Sequence, residues 1–157
     1  MLSSFKSKAL AGALTLSLAG VTAIATREGG FVRTGYRDPV GIPTACAGHT
    51  KTAVVGKQYT LSTCERLLKE DTTEAQAAVK RLVKIKITQA QYDELTDFVF
   101  NVGTGNFASS TLLRKVNAGD CRGAGAEFPR WVYAKGQYLR GLENRRILNR
   151  KGWESGC

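Results

Sequence analysis

Between Ala9 and Thr26 no side chain is charged, and apolar positions dominate the run. Lys6 and Lys8 precede it, and the first eight residues hold no acid. Two bases ahead of an apolar stretch are the pattern of an export signal whose amino end stays inside. About eighteen residues lie between a usual signal core and the roughly 20 of a spanning helix. Gly12, Thr15, Ser17, Gly20 and Thr22 dilute the four leucines of the run, which predicts a weakly apolar N-terminal helix. The pattern then changes. From Arg27 to Thr50, glycines alternate with Phe31, Val32, Tyr36, Val40 and Ile42, which predicts a short twisted hairpin sheet. Residues 50 to 60 read as its last strand with a turn at Gly56. Ser62 and Glu65 have capping-box spacing and predict a helix to about Val83, with Leu67, Leu68, Ala75, Ala78, Val79 and Leu82 inward. Thr88 and Gln91 form a second box, opening a helix striped by Tyr92, Leu95, Phe98, Val99 and Val102 and ended by Gly103.

At 157 residues the chain suits one domain with a real core. Its net charge of +10 suits an anionic partner. No stripe of interleaved basic and aromatic residues marks a nucleic-acid groove, so a bacterial envelope is favoured over nucleic acid. Four cysteines, Cys46, Cys64, Cys121 and Cys157, all follow the apolar run. In an exported chain an even number favours disulfides, and four allow three pairings. With no Cys-x-x-Cys and a single histidine, a zinc site is not expected.

The candidate chemistry lies in Arg27–Thr50. Glu28 follows the apolar run closely, and Asp38 sits in a turn marked by Pro39 and Gly41. A carboxyl at a helix end and another on a facing hairpin are what glycoside hydrolysis needs. The ordered series Glu28, Tyr36-Arg37-Asp38, Thr44 and Gly48-His49 resembles the active-site segment of the phage-type lysozymes, glycoside hydrolase family 24. Nine residues separate Glu28 from Asp38 where that family usually has eight. The extra residue is expected in Gly29–Gly35, where a bulge absorbs it. A second match begins at Phe98: Phe100, Asn101, Gly103, Gly105-Asn106-Phe107 and Ser110-Thr111-Leu112-Leu113 resemble the loop lining the far wall of the lysozyme cleft. Trp131 and the helix from Gly141 with Arg145-Arg146 also have family counterparts, and are expected in core and surface.

The resemblance covers roughly residues 27 to 153. It implies a mostly helical α+β fold, lysozyme-like and two-lobed, with a three-stranded sheet lobe and a helical lobe around a saccharide cleft. It implies muramidase activity on the β-1,4 bond of peptidoglycan, inverting and cofactor-free. Glu28 would be the general acid, kept protonated by burial at the helix end, Asp38 the ionised partner, and Thr44 a help in holding water. Substrate contacts fall on Thr50, Phe100, Asn101, Gly103 and Ser110. Relatives imply the pairs Cys46–Cys64 and Cys121–Cys157, and a structural His49–Asp71 contact. Within the family, the signal-arrest-release endolysins keep an uncleaved weak anchor. The division that follows is 1–26 as anchor and 27–157 as lysozyme domain, with a monomer held at the inner membrane through residues 9–26 and then released into a Gram-negative periplasm. Cleavage after Ala25 competes with that reading. A lytic transglycosylase and a non-catalytic wall-binding protein are the alternative functions.

Overall fold

The computed structural model describes residues 7–157. They form two compact units, one of Leu18–Thr73 and one of Glu74–Cys157 joined by the N-terminal residues up to Ser17.

The first unit opens with α1 (Leu18–Arg27), continues through β2 (Val32–Arg37) and β3 (Pro43–Cys46), and closes with α2 (Leu61–Asp71). β2 and β3 pair antiparallel, Val32 opposite Cys46 and Tyr36 opposite Thr44, so the register slips between Val32 and Tyr36. The slip lies inside the glycine run expected to absorb an extra residue. The expected third strand is absent among the described residues. One bridge, Thr34 to Gln58, stands in its place, with hydrogen bonds from Gly35 N–H to Lys57 O and Tyr59 N–H to Arg33 O. The chain comes so close that a Cβ on Gly35 would meet the Val54 carbonyl oxygen at 1.9 Å. Only glycine fits there. Ala45, Cys46, Tyr59, Cys64 and Leu67 make the core of this unit. A disulfide links Cys46 to Cys64, tying β3 to α2.

The expected helix from Ser62 to Val83 is two helices, α2 and α3 (Thr73–Leu82). Thr72 interrupts them, with its hydroxyl donating to Lys69 O at 2.9 Å, a local bond that competes with helix continuation. The cap of α2 also differs from expectation. Thr60 takes the Thr63 N–H at 3.1 Å, two residues ahead of the predicted Ser62.

The second unit holds β4 (Lys86–Thr88), α4 (Gln89–Val102), α5 (Thr104–Ala108), α6 (Thr111–Asn117), α7 (Cys121–Gly125), the small hairpin β5 (Tyr133–Ala134) and β6 (Gln137–Tyr138), and α8 (Arg140–Glu154). The Thr88–Gln91 capping box is formed on both sides, and Gly103 closes α4 at φ 92°. Tyr92, Leu95, Phe98 and Val99 face a core shared with Phe107, Leu112, Phe128 and Trp153. Polar groups are buried between α4 and α8. Arg145 grips Asp97 with Nη2 at 2.7 Å, and Asn149 Nδ2 donates to both Asp97 and Glu94 at 2.8 Å. Cys121 and Cys157 form the second disulfide.

The single apolar helix expected over Ala9–Thr26 is not what the folded chain forms. Residues Lys8–Leu10 are a strand, β1, paired antiparallel with β4. Ala11–Ala13 make a 3-10 turn, and only Leu18–Arg27 is α-helical. No helix among the described residues is long and apolar enough to cross a membrane. The strand and the turn are secured at specific points. Ala11 and Leu16 are buried, and Leu16 N–H donates to Gln76 Oε1 at 3.0 Å. Gln76 also receives the buried Tyr92 hydroxyl at 3.1 Å. Asp93 accepts both the Ser17 N–H, at 3.1 Å, and the Ser17 hydroxyl. Gln89 Nε2 binds Asp93 at 2.9 Å and the Thr15 carbonyl at 2.8 Å.

Burial pushes the Asp93 carboxyl above the ordinary aspartate value, against the opposing pull of its bonds to Ser17 and Gln89. An acid raised in the folded state holds more protons there than when unfolded, so its contribution is full below the ordinary aspartate value and is lost as pH rises through the raised one. Asp93→Asn keeps an oxygen for the Ser17 N–H and removes the buried charge. Measured by urea midpoint, wild type should therefore lose stability relative to Asp93→Asn as pH rises through this window. A difference that stays constant with pH would contradict this account.

Candidate functional site

Glu28 follows α1 directly. Its N–H bonds Ile24 O at 2.9 Å, and the Gly30 N–H reaches back to Ala25 O at 2.7 Å. Gly29 and Gly30, at φ 100° and 90°, turn the chain away after it, a glycine-dependent helix end. The Glu28 side chain is exposed. This corrects the expected burial: the helix ends at Gly29 and Gly30 with Glu28 at the surface.

Asp38 is better fixed. Its Oδ1 accepts the Val40 N–H at 2.9 Å and the Ile42 N–H at 2.8 Å. Its own N–H donates to Ile42 O at 2.9 Å. The Asp38-Pro39-Val40-Gly41-Ile42 turn thus closes on its carboxylate, and Gly41 at φ 88° makes the closure possible. Arg37 Nη1 adds a bond to Gly41 O at 3.0 Å. With one oxygen committed to two backbone donors, the carboxylate has a set direction.

Thr44 is buried on β3, and its hydroxyl donates to Ile42 O at 2.9 Å. Its one proton is spent on the residue whose N–H holds Asp38, so Thr44 props the carboxylate turn. Its oxygen lone pairs remain able to accept from water.

His49 is 4 % exposed. Nδ1 lies 2.8 Å from Asp71 Oδ2, and Nε2 lies 2.7 Å from Thr52 Oγ1. The Thr52 N–H also points at Nε2, at 3.2 Å. With Nε2 accepting, Nδ1 carries the proton given to Asp71, so the contact does not need a charged imidazole. It ties the turn between Ala45 and His49, which exchange both backbone bonds at 2.9 Å, to the end of α2. Asp71→Asn can keep an acceptor oxygen and should lower the thermal midpoint by a few degrees, whereas Asp71→Leu should cost about 1–3 kcal/mol by stranding the buried Nδ1–H. Equal midpoints for Asp71→Leu and wild type would show that this bond contributes nothing.

Thr50 is exposed beyond His49, its carbonyl taking the Ala53 N–H at 3.3 Å. The other expected contact residues lie in the second unit. Phe100 is half-buried on α4, and Asn101 is exposed, its Oδ1 accepting from Arg146. Gly103 is exposed at the helix end. Ser110 is buried and spent as a cap, accepting the Leu113 N–H at 3.0 Å and donating to Phe107 O at 2.7 Å. It lines a pocket of about 340 Å³ with Asn106, Ser109, Glu127, Arg130 and Trp131. Glu127 is buried there, paired with Lys115 at 2.8 Å and Arg130 at 3.2 Å. Glu127 and Arg130 are not singled out by the sequence, because the partner of the buried Glu127 charge, Lys115 on α6, lies on the far side of α7 in the chain. Among the described residues no group of acids, histidines and cysteines is placed to hold a metal.

Residues 26–148 match the family described as Phage lysozyme. A curated relative from Enterobacteria phage PA-2, named SAR-endolysin, is 43% identical over 117 residues, 74% of this chain and 71% of the relative. Another SAR-endolysin, from Escherichia phage Mu, is 42% identical over 118 residues, 75% and 69% of the two chains. A crystal structure of a P22 lysozyme mutant superposes with a TM-score of 0.81 at 31% identity, covering 90% of this chain and 99% of that one. The muramidase domain of SpmX from Asticaccaulis excentricus gives 0.77 at 32% identity, covering 88% and 97%. The matched segment contains Glu28, Asp38 and Thr44 as well as the α4–α6 loop, and the chain belongs to the phage lysozyme family.

Proposed function

We propose that this chain is an endolysin, a muramidase that hydrolyses the β-1,4 bond between N-acetylmuramic acid and N-acetylglucosamine in peptidoglycan and so lyses the host. What carries the reading is the family match across the Glu28–Thr44 segment, supported by the preset Asp38 turn. Glu28 donates a proton to the leaving glycosidic oxygen. Asp38 stays ionised, balances positive charge building on the sugar ring, and with Thr44 holds the attacking water. The reaction inverts configuration, which calls for carboxyl groups roughly 6.5–9.5 Å apart with water between them. Thr50, Phe100, Asn101, Gly103 and Ser110 contact the glycan, Ser110 through the shape of its pocket because its hydroxyl is committed to a cap. No metal, cofactor or nucleic acid takes part, and the chain acts as a monomer.

Residues 1–26 serve first as a weak inner-membrane anchor, with residues 27–157 held as a lysozyme domain on the periplasmic side. Loss of the membrane potential frees them. The names of the SAR-endolysin relatives and the uncharged run support this reading. The Lys8–Leu10 strand and the Ser17–Asp93 bonds support a released form in which the run packs on the folded chain.

Digestion of purified murein tests the chemistry. Reducing ends formed initially as the inverted anomer, read by NMR, are expected. Retained anomers would overturn inversion, 1,6-anhydro ends would identify a lytic transglycosylase, and binding without release of ends would mark a wall-binding protein.

A further inference from the structure

Residues 128–142 carry three bases, Arg130, Lys135 and Arg140, and no acid. Within this stretch the β5–β6 hairpin turns over Lys135 and Gly136, at φ 50° and 76°, a tight two-residue tip of the hairpin type that needs positive φ at both positions. Tyr133 and Tyr138 face each other across it, ring centroids 6.2 Å apart and edge to face. They stay 64 % and 49 % exposed.

The apolar surface continues beyond the hairpin. Tyr138 and Ile147 share the wall of a largely apolar pocket of about 300 Å³ with Pro129, Val132, Glu143 and Arg146. Ile147, its neighbour Leu148 and the hairpin's Leu139 are 56 %, 45 % and 44 % exposed. Scattered apolar residues on a surface need no explanation, but exposed ones gathered beside Lys135 and Arg140 do. Tyrosines and aliphatics beside Lys135 and Arg140 suit the boundary between headgroups and acyl chains, with Glu143 as an acid on the pocket wall. The rings lie at the polar level there, and each base gains from anionic lipid. A sugar strand would use the tyrosine faces but has no use for Leu139, Ile147 and Leu148, which offer it no hydrogen bond.

We propose that the β5–β6 hairpin and the adjoining face of α8 form a docking surface for an anionic phospholipid bilayer. Lys135 and Arg140 meet headgroup phosphates, while Tyr133, Tyr138, Leu139 and Ile147 enter the interface. This surface is distinct from residues 9–26 and does not depend on the hydrolase reading. It would hold the folded protein against a membrane after the N-terminal run has left the bilayer.

The test uses the folded full-length chain, detergent-free, with vesicles of phosphatidylcholine alone or mixed equally with phosphatidylglycerol. Cosedimentation should show binding roughly tenfold or more tighter to the anionic vesicles. Lys135→Gln with Arg140→Gln should remove most of that preference, and Tyr133→Ser with Tyr138→Ser should weaken binding about tenfold. Hydrogen exchange on wild type, which needs no variant to fold, should show vesicle-induced protection at residues 133–139. Protection confined to residues 8–27 would overturn the proposal. So would unchanged vesicle binding by the tyrosine variant together with lost binding to purified sacculi, which would make this a glycan surface.

Discussion

Glu28→Gln should release no measurable reducing ends from purified murein while folding as wild type does. A positioned general acid is worth about 10²–10⁴-fold in rate, and an amide cannot supply the proton. The side chain is exposed, and its backbone bond to Ile24 is unaffected by the change, so the fold around it should be kept. Asp38→Asn is the sharper test of geometry. Its remaining oxygen can still take the Val40 and Ile42 N–H groups, so the turn survives and only the negative charge is removed. Turnover should fall about 10²–10⁴-fold with substrate binding little changed. Asp38→Ala should add a loss of stability, because two backbone donors lose their acceptor. Thr44→Ser keeps the bond to Ile42 O and should be milder than Thr44→Val. Near-normal turnover by Asp38→Asn would mean that the extra residue between Glu28 and Asp38 has moved the carboxylate out of the site.

The parts of this fold legible in the sequence are those with local causes. Thr88 and Gln91 cap α4 because the box needs only residues three apart. Gly103, Gly29 and Gly41 mark chain reversals because positive φ is cheap only there. The register slip between Val32 and Tyr36 falls beside Gly35, where the chain passes too close to Val54 for any side chain. What was not legible depends on distant partners. Lys8–Leu10 forms a strand only because Lys86–Thr88 lies alongside, and three residues show no period of their own. Thr72 ends α2 through its own side chain, although the apolar spacing runs on through it into α3. The buried Asp97–Arg145–Asn149 group looks like a solvated helix face in a string of arginines and asparagines. For the candidate site, residue types and order were readable from the Glu28–Thr44 segment, but side-chain commitments were not. Neither the exposure of Glu28 nor the spending of the Thr44 and Ser110 hydroxyls follows from spacing.

Leucine at Gly12, Thr15 and Thr22 together should leave the protein in the membrane fraction and abolish host lysis. All three positions are exposed in the folded chain, and a side chain added at Gly12 meets nothing within 4 Å. The substitutions therefore act mainly on the inserted form. Each leucine is favourable by about 0.3–0.6 kcal/mol at the centre of a spanning helix, and each also removes a residue that makes the anchor weak. Ser17 and Gly20 are poor choices for the same experiment. Ser17 is bound to Asp93 and Gly20 is buried in α1, so enlarging either would damage the released fold and imitate a failure to escape. The folded form contributes the opposing pull. Burial of Ala11 and Leu16, the β1–β4 ladder, and the Gln76, Gln89 and Asp93 bonds are contacts that a bilayer-inserted run could not make. Asp93→Ala should then shift the balance in the same direction as the leucines, giving slower lysis and more protein in membranes, without touching the anchor's own apolarity. The triple-leucine protein, extracted in detergent and refolded, should digest murein at the wild-type rate. If it does so and also lyses cells on the wild-type schedule, residues 9–26 do not restrain the enzyme.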